Sequence, residues 1–444
     1  PRVCSREERA EVDRTMRAMI AENLPIIKHS VPREEAIERF QKLGRSGKVN
    51  LLSELSKPVI SIYTCEDYTD YLYGPMLYET QHLDQFELDY EPFGVLIRTP
   101  DERTKGEIRK RINQPKFGSI LAESKAWADI LECRFISDLN RINRENSIGE
   151  LIRISEGLQE KRIAQIADHI SANREHIRLI LIAGPSSSGK TSFAQRLRIQ
   201  LRVNGLRPVM ISLDDYFLNR EDTPLNEKGQ YDYESLDALD TKLFNENMIA
   251  LLAGQEVQIP RYNFITGMRE WKEDAFLSIC NDQPIIIEGI HGLNEHLTKD
   301  IPRGNKYKIY ISALTQLNID AHNRIPTTEV RFLRRLVRDY QFRGAKALKS
   351  IHQWPDVRDG EEKYIFPFQE EADVLFNSAL IYEIGVLKKY AVPLLEEINR
   401  GEEGYTEARL ILRFLQYVDV ISSIDDIPNN SILREFIGKS VFFS

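Results

Sequence analysis

Five short apolar runs mark the chain from residue 177 onward: Ile177–Ala183, Val209–Leu213, Pro284–Glu288, Tyr307–Ser312 and Val374–Phe376. Segments with helical spacing lie between them. Continuous apolar strands alternating with helices predict an α/β domain, a mostly parallel sheet with helices on both faces. Upstream, Ser5–Glu22 has apolar residues at helical spacing, Val59–Tyr63 reads as a strand, and Tyr73-Gly74-Pro75 reads as a turn. Residues 101–170 are charged and helical in pattern. Gly149–Ala172 places Leu151, Ile152, Ile154, Leu158, Ile163, Ile166 and Ile170 on one broad stripe. After Leu395 the pattern is helical again, with Glu407–Tyr417 and a last piece near Ser431–Ile437. The expected division is an α+β module (1–100), a helical connector (101–173), the α/β domain (174–398) and a C-terminal helical segment (399–444). No internal repeat of the length typical of solenoids is present.

Composition narrows the class. The chain has 444 residues, 42% hydrophobic and 29% charged, the balance of a globular protein. Its net charge is −8, which argues against a general electrostatic grip on nucleic acid. No apolar run approaches the ~18 residues needed to span a bilayer, and no signal-peptide pattern opens the chain. Cys4, Cys65, Cys133 and Cys280 are scattered without a CxxC pair, so reduced thiols and a cytoplasmic setting are expected, with no membrane partner. The eight histidines form no HxxxH or tight His/Cys cluster, which argues against structural zinc. His291 lies three residues after Glu288 and either borders a site there or is structural.

The sharpest chemical signal is Gly184-Pro185-Ser186-Ser187-Ser188-Gly189-Lys190-Thr191, a match to G-x-x-x-x-G-K-[ST]. The Ile177–Ala183 strand precedes it, and Ser192–Val203 follows with Phe193, Leu197 and Leu201 on one helical face. Glycines let the backbone curl into a nest of N–H donors, and the helix N-terminus adds positive potential for a polyphosphate. Gly184, Ser186, Ser187, Ser188, Gly189, Lys190, Thr191 and Ser192 are the expected nucleotide contacts. Lys190 would reach the β- and γ-phosphates, and Thr191 would place its hydroxyl on Mg²⁺. ATP and Mg²⁺ are thus the expected cofactors. Ser212-Leu213-Asp214-Asp215 ends the next strand, on the side of the sheet where ligands sit. Phosphoryl transfer to a hydroxyl needs a group that accepts the proton and orients the nucleophile. Asp214 is the candidate, with helix capping as its structural alternative.

From about 174 to 390 the chain resembles the uridine kinase/phosphoribulokinase family of P-loop kinases. The motifs follow in order: the phosphate loop, then Ser212-Leu213-Asp214, then Tyr231-Asp232-Tyr233-Glu234-Ser235-Leu236-Asp237-Ala238-Leu239-Asp240. Ile259-Pro260-Arg261-Tyr262-Asn263-Phe264, Ile286-Ile287-Glu288-Gly289-Ile290, Arg334-Arg335-Leu336-Val337-Arg338-Asp339 and Arg343-Gly344 complete the series. The resemblance implies a phosphotransferase with Asp214 as general base and Glu288 supporting Mg²⁺. It implies Tyr233, Glu234, Tyr262, Phe264, Arg269, Arg335 and Gln353 at the acceptor, with Lys190, Arg338 and Arg343 serving the transfer. Purely structural readings stay open for Tyr262 and Phe264 as core aromatics, for Glu234 as a helix-start residue, and for Arg334, Arg335 and Arg338 as a solvated face paired with Asp339. The chain departs from the family at Gly267, where uridine kinases carry a base-contacting His, and at Ala345 in place of a lid Arg. Extra residues also precede the lid helix, around Leu314–Thr328. These departures leave the acceptor open: a nucleoside leads, and a phosphosugar or similar metabolite follows. A nucleotide-gated RNA-binding or regulatory module is the third reading. The sequence leaves homo-oligomerisation open.

Residues 5–100 resemble the second, editing-type domain of threonyl-tRNA synthetase. The resemblance is carried by Val31-Pro32-Arg33-Glu34-Glu35-Ala36-Ile37-Glu38-Arg39-Phe40, by Ser61-Ile62-Tyr63, and by Asp70-Tyr71-Leu72-Tyr73-Gly74-Pro75-Met76. Leu72 and Met76 replace that family's Cys and His, so no metal or deacylase site is expected here. The chain starts at Pro1 rather than Met and enters the synthetase-like domain partway, so a chain trimmed at its start is expected.

Overall fold

The computed structural model describes residues 5–72, 74, 76–91, 94–100, 104–226, 229–280 and 282–443. Two residues of the expected Tyr73–Pro75 turn lie outside this set, as does Cys4. Helices are α1 Arg6–Ala21, α2 Arg33–Lys42, α3 Ser46–Ser53, α4 Pro115–Ile130, α5 Ile136–Arg144, α6 Ile148–Ala172, α7 Lys190–Val203, α8 Thr241–Leu252, α9 Thr327–Arg343, α10 Ala347–Tyr364, α11 Glu383–Glu396, α12 Tyr405–Leu415 and α13 Arg434–Ile437. Strands are β1 Ile27–Pro32, β2 Val59–Cys65, β3 Tyr68–Asp70, β4 Glu87–Glu91, β5 Gly94–Arg98, β6 Leu179–Ala183, β7 Val209–Ser212, β8 Val257–Gln258, β9 Arg261–Asn263, β10 Met268–Glu270, β11 Phe276–Leu277, β12 Ile285–Glu288, β13 Lys306–Ser312 and β14 Val374–Asn377. None of the helices is long and apolar enough to cross a membrane, among the described residues.

The chain forms two compact units. The first holds residues 1–145, 316–325 and 413–419; the second holds 146–315, 326–412 and 420–444. In the first unit, β1-β2-β3 form an antiparallel sheet, with Ala36 and Phe40 of α2 and Leu51 and Leu52 of α3 in the core beside Ile60 and Ile62. Asp70, at the end of β3, is buried with Lys48 at 2.8 Å. Lys48 also reaches Asp320 at 2.9 Å. The extra residues before α9 therefore carry a structural carboxylate in this unit. Removing Lys48 would leave two buried carboxylates without their shared cation.

The second unit is built on a five-stranded parallel sheet in the order β14-β13-β6-β12-β7. The five apolar runs became these five strands, shifted by no more than two residues at each end. Side chains on both faces of β6 are fully buried, as a strand covered by helices requires. α6 packs along α7, and Arg196 of α7 pairs with Glu160 of α6 at 2.7 Å. On another side, Phe244, Met248 and Leu251 of α8 join Tyr216, Leu239, Ile285 and Ile287 in one apolar cluster. Sheet order sets function: β6 lies between β13 and β12, so the loop leaving it opens next to the ends of both.

Gly184 turns the chain out of β6 where no side chain fits. A Cβ there would lie 2.0 Å from the Ile311 carbonyl oxygen of β13. Gly184→Ala is expected to shift the backbone and destabilise the second unit by about 1–3 kcal/mol, read as an earlier urea transition in near-UV circular dichroism.

Candidate functional site

The loop from Gly184 to Gly189 curls between β6 and α7. Ser187 and Gly189 both have positive φ, at 59° and 83°, which turns successive backbone N–H groups inward as an anion nest requires. Lys190 opens α7, and its ammonium donates to the carbonyls of Gly184 at 2.9 Å and Pro185 at 3.2 Å. Burial lowers the Lys190 pKa, while the charges of Glu288, Asp214 and Glu435 raise it. The loop is anchored from behind. The Ser186 N–H donates to Glu361 Oε1 at 3.2 Å, and Glu361 is fully buried between Arg331 (2.7 Å) and Arg358 (2.6 Å). Arg334 is also fully buried and pairs with Glu383 at 2.9 Å, so it is no solvated residue.

Two strand ends bring carboxylates beside this loop. Glu288 closes β12 in register with Ser212 of β7, and the Ser212 hydroxyl donates to Glu288 Oε1 at 3.3 Å. The same hydroxyl accepts from the Asp214 backbone N–H at 3.3 Å, so one serine links the Glu288 carboxylate to the Asp214 backbone. Removal from water raises the Glu288 pKa to about 7, and the like charge of Asp214 adds to this against Lys190. Asp214 is also raised by desolvation, with Lys190 and Arg343 opposing; its outer edge is open to solvent. Two acids held high by confinement and mutual repulsion favour the arrival of a cation.

The helix α9 supplies arginines. Buried Asp339 binds Arg335, Arg338 and Arg343, each at 3.2 Å. Arg335 reaches forward to Ser186 Oγ (3.2 Å) and sideways to Gln353 Oε1 (3.3 Å). Asp339 is thus the hub of the fan. Its place in the R-R-x-x-R-D run was the available signal.

A cavity of about 760 Å³ lies beside Arg335 and Gln353, with Tyr233 and Glu234 on its wall. Four of the seven predicted acceptor residues meet here. Glu234 feels the charges of Lys190 and Asp214, which ties the cavity to the phosphate loop. Tyr262, Phe264 and Arg269 do not line this cavity. Tyr262 and Phe264 instead pack on Phe217, at ring separations of 5.5 and 6.4 Å, and Phe217 meets Tyr233 at 6.2 Å. Tyr262 is buried, while Phe264 is 64% exposed at the tip of the β9–β10 hairpin. The Arg269 guanidinium is engaged by Asp240 at 3.0 Å and by the Phe217 and Tyr216 carbonyls, so it holds the hairpin to the chain after β7. Gly267 leaves room that Arg220 takes: a Cβ there would meet its guanidinium at 2.7 Å. His291 is buried beside Tyr364, and burial lowers its pKa to about 4, which keeps the ring neutral near pH 7. Sequence reasoning missed Glu361, Glu383 and Glu435, which meet Ser186, Arg334 and Ser192 from far along the chain.

A backbone nest, a lysine, two strand-end acids and a fan of arginines thus stand together at the carboxyl ends of the parallel strands. Residues 179–382 match the phosphoribulokinase / uridine kinase family. The uridine kinase of Chloroflexus aurantiacus is 32% identical over 200 residues, covering 45% of this chain and 85% of that protein. That of Halobacterium salinarum is 28% identical over 223 residues, covering 50% of this chain and 86% of that protein. Uridine-cytidine kinase A of Dictyostelium discoideum is 29% identical over 276 residues, covering 60% and 50%. The chain belongs to the phosphoribulokinase / uridine kinase family and is a phosphotransferase acting on a hydroxyl.

Glu234 offers a direct test of the cavity's electrostatics. Burial raises its pKa to about 7, with Glu361 adding repulsion. An acid whose pKa is raised on folding binds its proton more tightly in the folded state. Its contribution to stability is therefore present in acid and lost as pH rises from about 4.5 through 7. Glu234 is half-buried, so screening reduces the effect. Glu234→Gln is expected to stabilise the ligand-free protein by about 1–2 kcal/mol more at pH 8 than at pH 5, read by urea titration at both pH values.

Proposed function

We propose that this chain transfers the γ-phosphoryl group of ATP, bound with Mg²⁺, to a hydroxyl of a nucleoside. One observation carries the reading: Asp214 feels Lys190, and Glu234 feels both, so the phosphate side and the acceptor side converge on one carboxylate. In this reading Lys190 leaves the Gly184 and Pro185 carbonyls for the β- and γ-phosphates. The N–H groups and hydroxyls of Ser186, Ser187, Ser188, Gly189, Thr191 and Ser192 cradle the phosphate chain.

The residues present fit a Mg²⁺ ion. Thr191 offers a hydroxyl, and Glu288 and Asp214 are neighbouring acids whose repulsion a divalent cation relieves. No cluster of three metal-ligating side chains exists among the described residues, as suits an ion held mainly by phosphates and water. When bound, Mg²⁺ neutralises charge on the phosphate oxygens. Asp214 orients the acceptor hydroxyl and takes its proton. Arg338 and Arg343, held by Asp339, close on the transferring group, whose loose anionic transition state is stabilised by fixed cations.

The cavity favours a neutral acceptor over a phosphorylated sugar. Asp232, Glu234, Asp237, Asp356 and Asp359 line it, against Arg335 and Lys363. Glu234 would accept bonds from ribose hydroxyls, and the Tyr233 ring on the cavity wall would offer a flat base a partner. The relatives named as uridine kinases support the same class.

Asp214→Asn is expected to lower kcat by about 10²–10⁴-fold and to leave ATP binding in place. Turnover equal to wild type with every accepted substrate removes Asp214 as the base. In a thermal-shift panel, nucleosides are expected to stabilise the protein by about 2–3 kcal/mol at a hundredfold excess over Kd, and phosphosugars not at all. The reverse ranking removes the nucleoside.

A further inference from the structure

The C-terminal segment enters the phosphate cradle. Ser192 is the third residue of α7, so its N–H is one of the donors that the helix leaves without an internal partner. Glu435 of α13 takes that donor. Its Oε2 accepts from the Ser192 hydroxyl at 2.7 Å and from the Ser192 N–H at 3.3 Å. The contacts continue on either side. Ile432 lies against Gly189, where an added Cβ would come within 2.4 Å of its methyl. The fully buried Phe436 ring lies 5.1 Å from the Arg334 guanidinium, and Arg334 in turn reaches the Ser187 carbonyl at 3.4 Å. The Glu435 charge is felt by both Lys190 and Glu288.

We infer that Glu435 is an internal anion plugging the phosphate cradle, which a nucleotide must displace to bind fully, loosening the segment around α13 as it does so. This rests on the reading of Gly184–Thr191 as a nucleotide cradle. A carboxylate and a phosphate both seek the same N–H at the positive end of a helix, and the two like charges cannot share it. The segment itself is held independently. Ser431 binds buried Glu156, and Arg434 donates to the Ile424 and Ile427 carbonyls at 2.8 Å each. The Glu435 side chain can therefore leave while the chain before it stays anchored. Nucleotide occupancy and the order of residues 435–438 become two readings of one equilibrium.

Calorimetric binding of ADP and of adenosine to the full chain and to Glu435→Gln tests this. The variant is expected to bind ADP about 5- to 30-fold more tightly, the range a charge at a helix terminus supplies. Adenosine, which has no phosphate, should bind both alike. In the unaltered chain, hydrogen exchange of amides 435–438 should speed up when ADP is added. ADP affinity that is equal or weaker in Glu435→Gln overturns the plug, as does slower or unchanged exchange of those amides. If that variant fails to fold, the exchange measurement decides alone. Lys190→Ala separates the two claims. If it abolishes ADP binding while Glu435→Gln gains nothing, only the plug fails. If ADP binding is untouched by Lys190→Ala, the cradle reading fails, and the plug with it.

Discussion

A backbone curl at the end of a buried strand presents N–H donors that must find an anion, and the rest of the site is arranged around that demand. Water-poor surroundings make an unmet donor costly. In this structure carboxylates meet it: Glu361 takes the Ser186 N–H and Glu435 takes the Ser192 N–H. Lys190 rests on two loop carbonyls. The cradle is therefore self-neutralised, and a polyphosphate would enter by exchange of partners. That is cheaper than opening an uncompensated hole, and it lets the loop keep its shape between turnovers.

The same logic governs α9. Three arginines close together repel one another, yet Asp339 holds all three at salt-bridge distance. Being buried, Asp339 has few alternative partners, so it fixes the fan without consuming the outward donors. Arg331 and Arg334, within a turn or so of the fan on the same face of the helix, are fully buried against Glu361 and Glu383. One helix thus carries two arginine populations: an inner pair that ties it to α10 and α11, and an outer fan that faces the candidate site.

Local signals carried much of this. The five strands were legible because a strand covered on both faces is apolar throughout, and the phosphate loop because its turn admits few residue types. Glu288 stood out because a carboxylate closing a buried strand is hard to explain structurally, and Asp214 because it ends the next strand beside the phosphate loop. Arg269 was less legible: its place in an acceptor-loop motif gave no sign that Asp240 and two carbonyls would occupy its guanidinium. Glu361, Glu383 and Glu435 gave no local sign at all. Each lies in an ordinary helical stretch, and its partner lies on the phosphate loop, on the helix after it or on α9. Likewise, the contacts that group Gln316–Ile325 and Arg413–Asp419 with the first unit depend on pairs such as Lys48–Asp320. Periodicity along a chain cannot show these.

The division of labour between the two acceptor-side acids follows from which charges each one faces. Asp214 has Lys190 and Arg343 against Asp215 and Glu288. Glu234 has Glu361 and Asp214 against Lys190 and Arg335, and its pKa rises to about 7. Where two carboxyls sit in one site, different surroundings suit them to different roles. On the proposed reading, Asp214, flanked by Lys190 and Arg343, is the acid that takes the acceptor's proton. Glu234, able to donate as well as accept, suits holding a hydroxyl in place. A second fully charged carboxylate there would compete for the acceptor's proton and would repel the phosphate chain. A half-titrated one positions the acceptor without doing either.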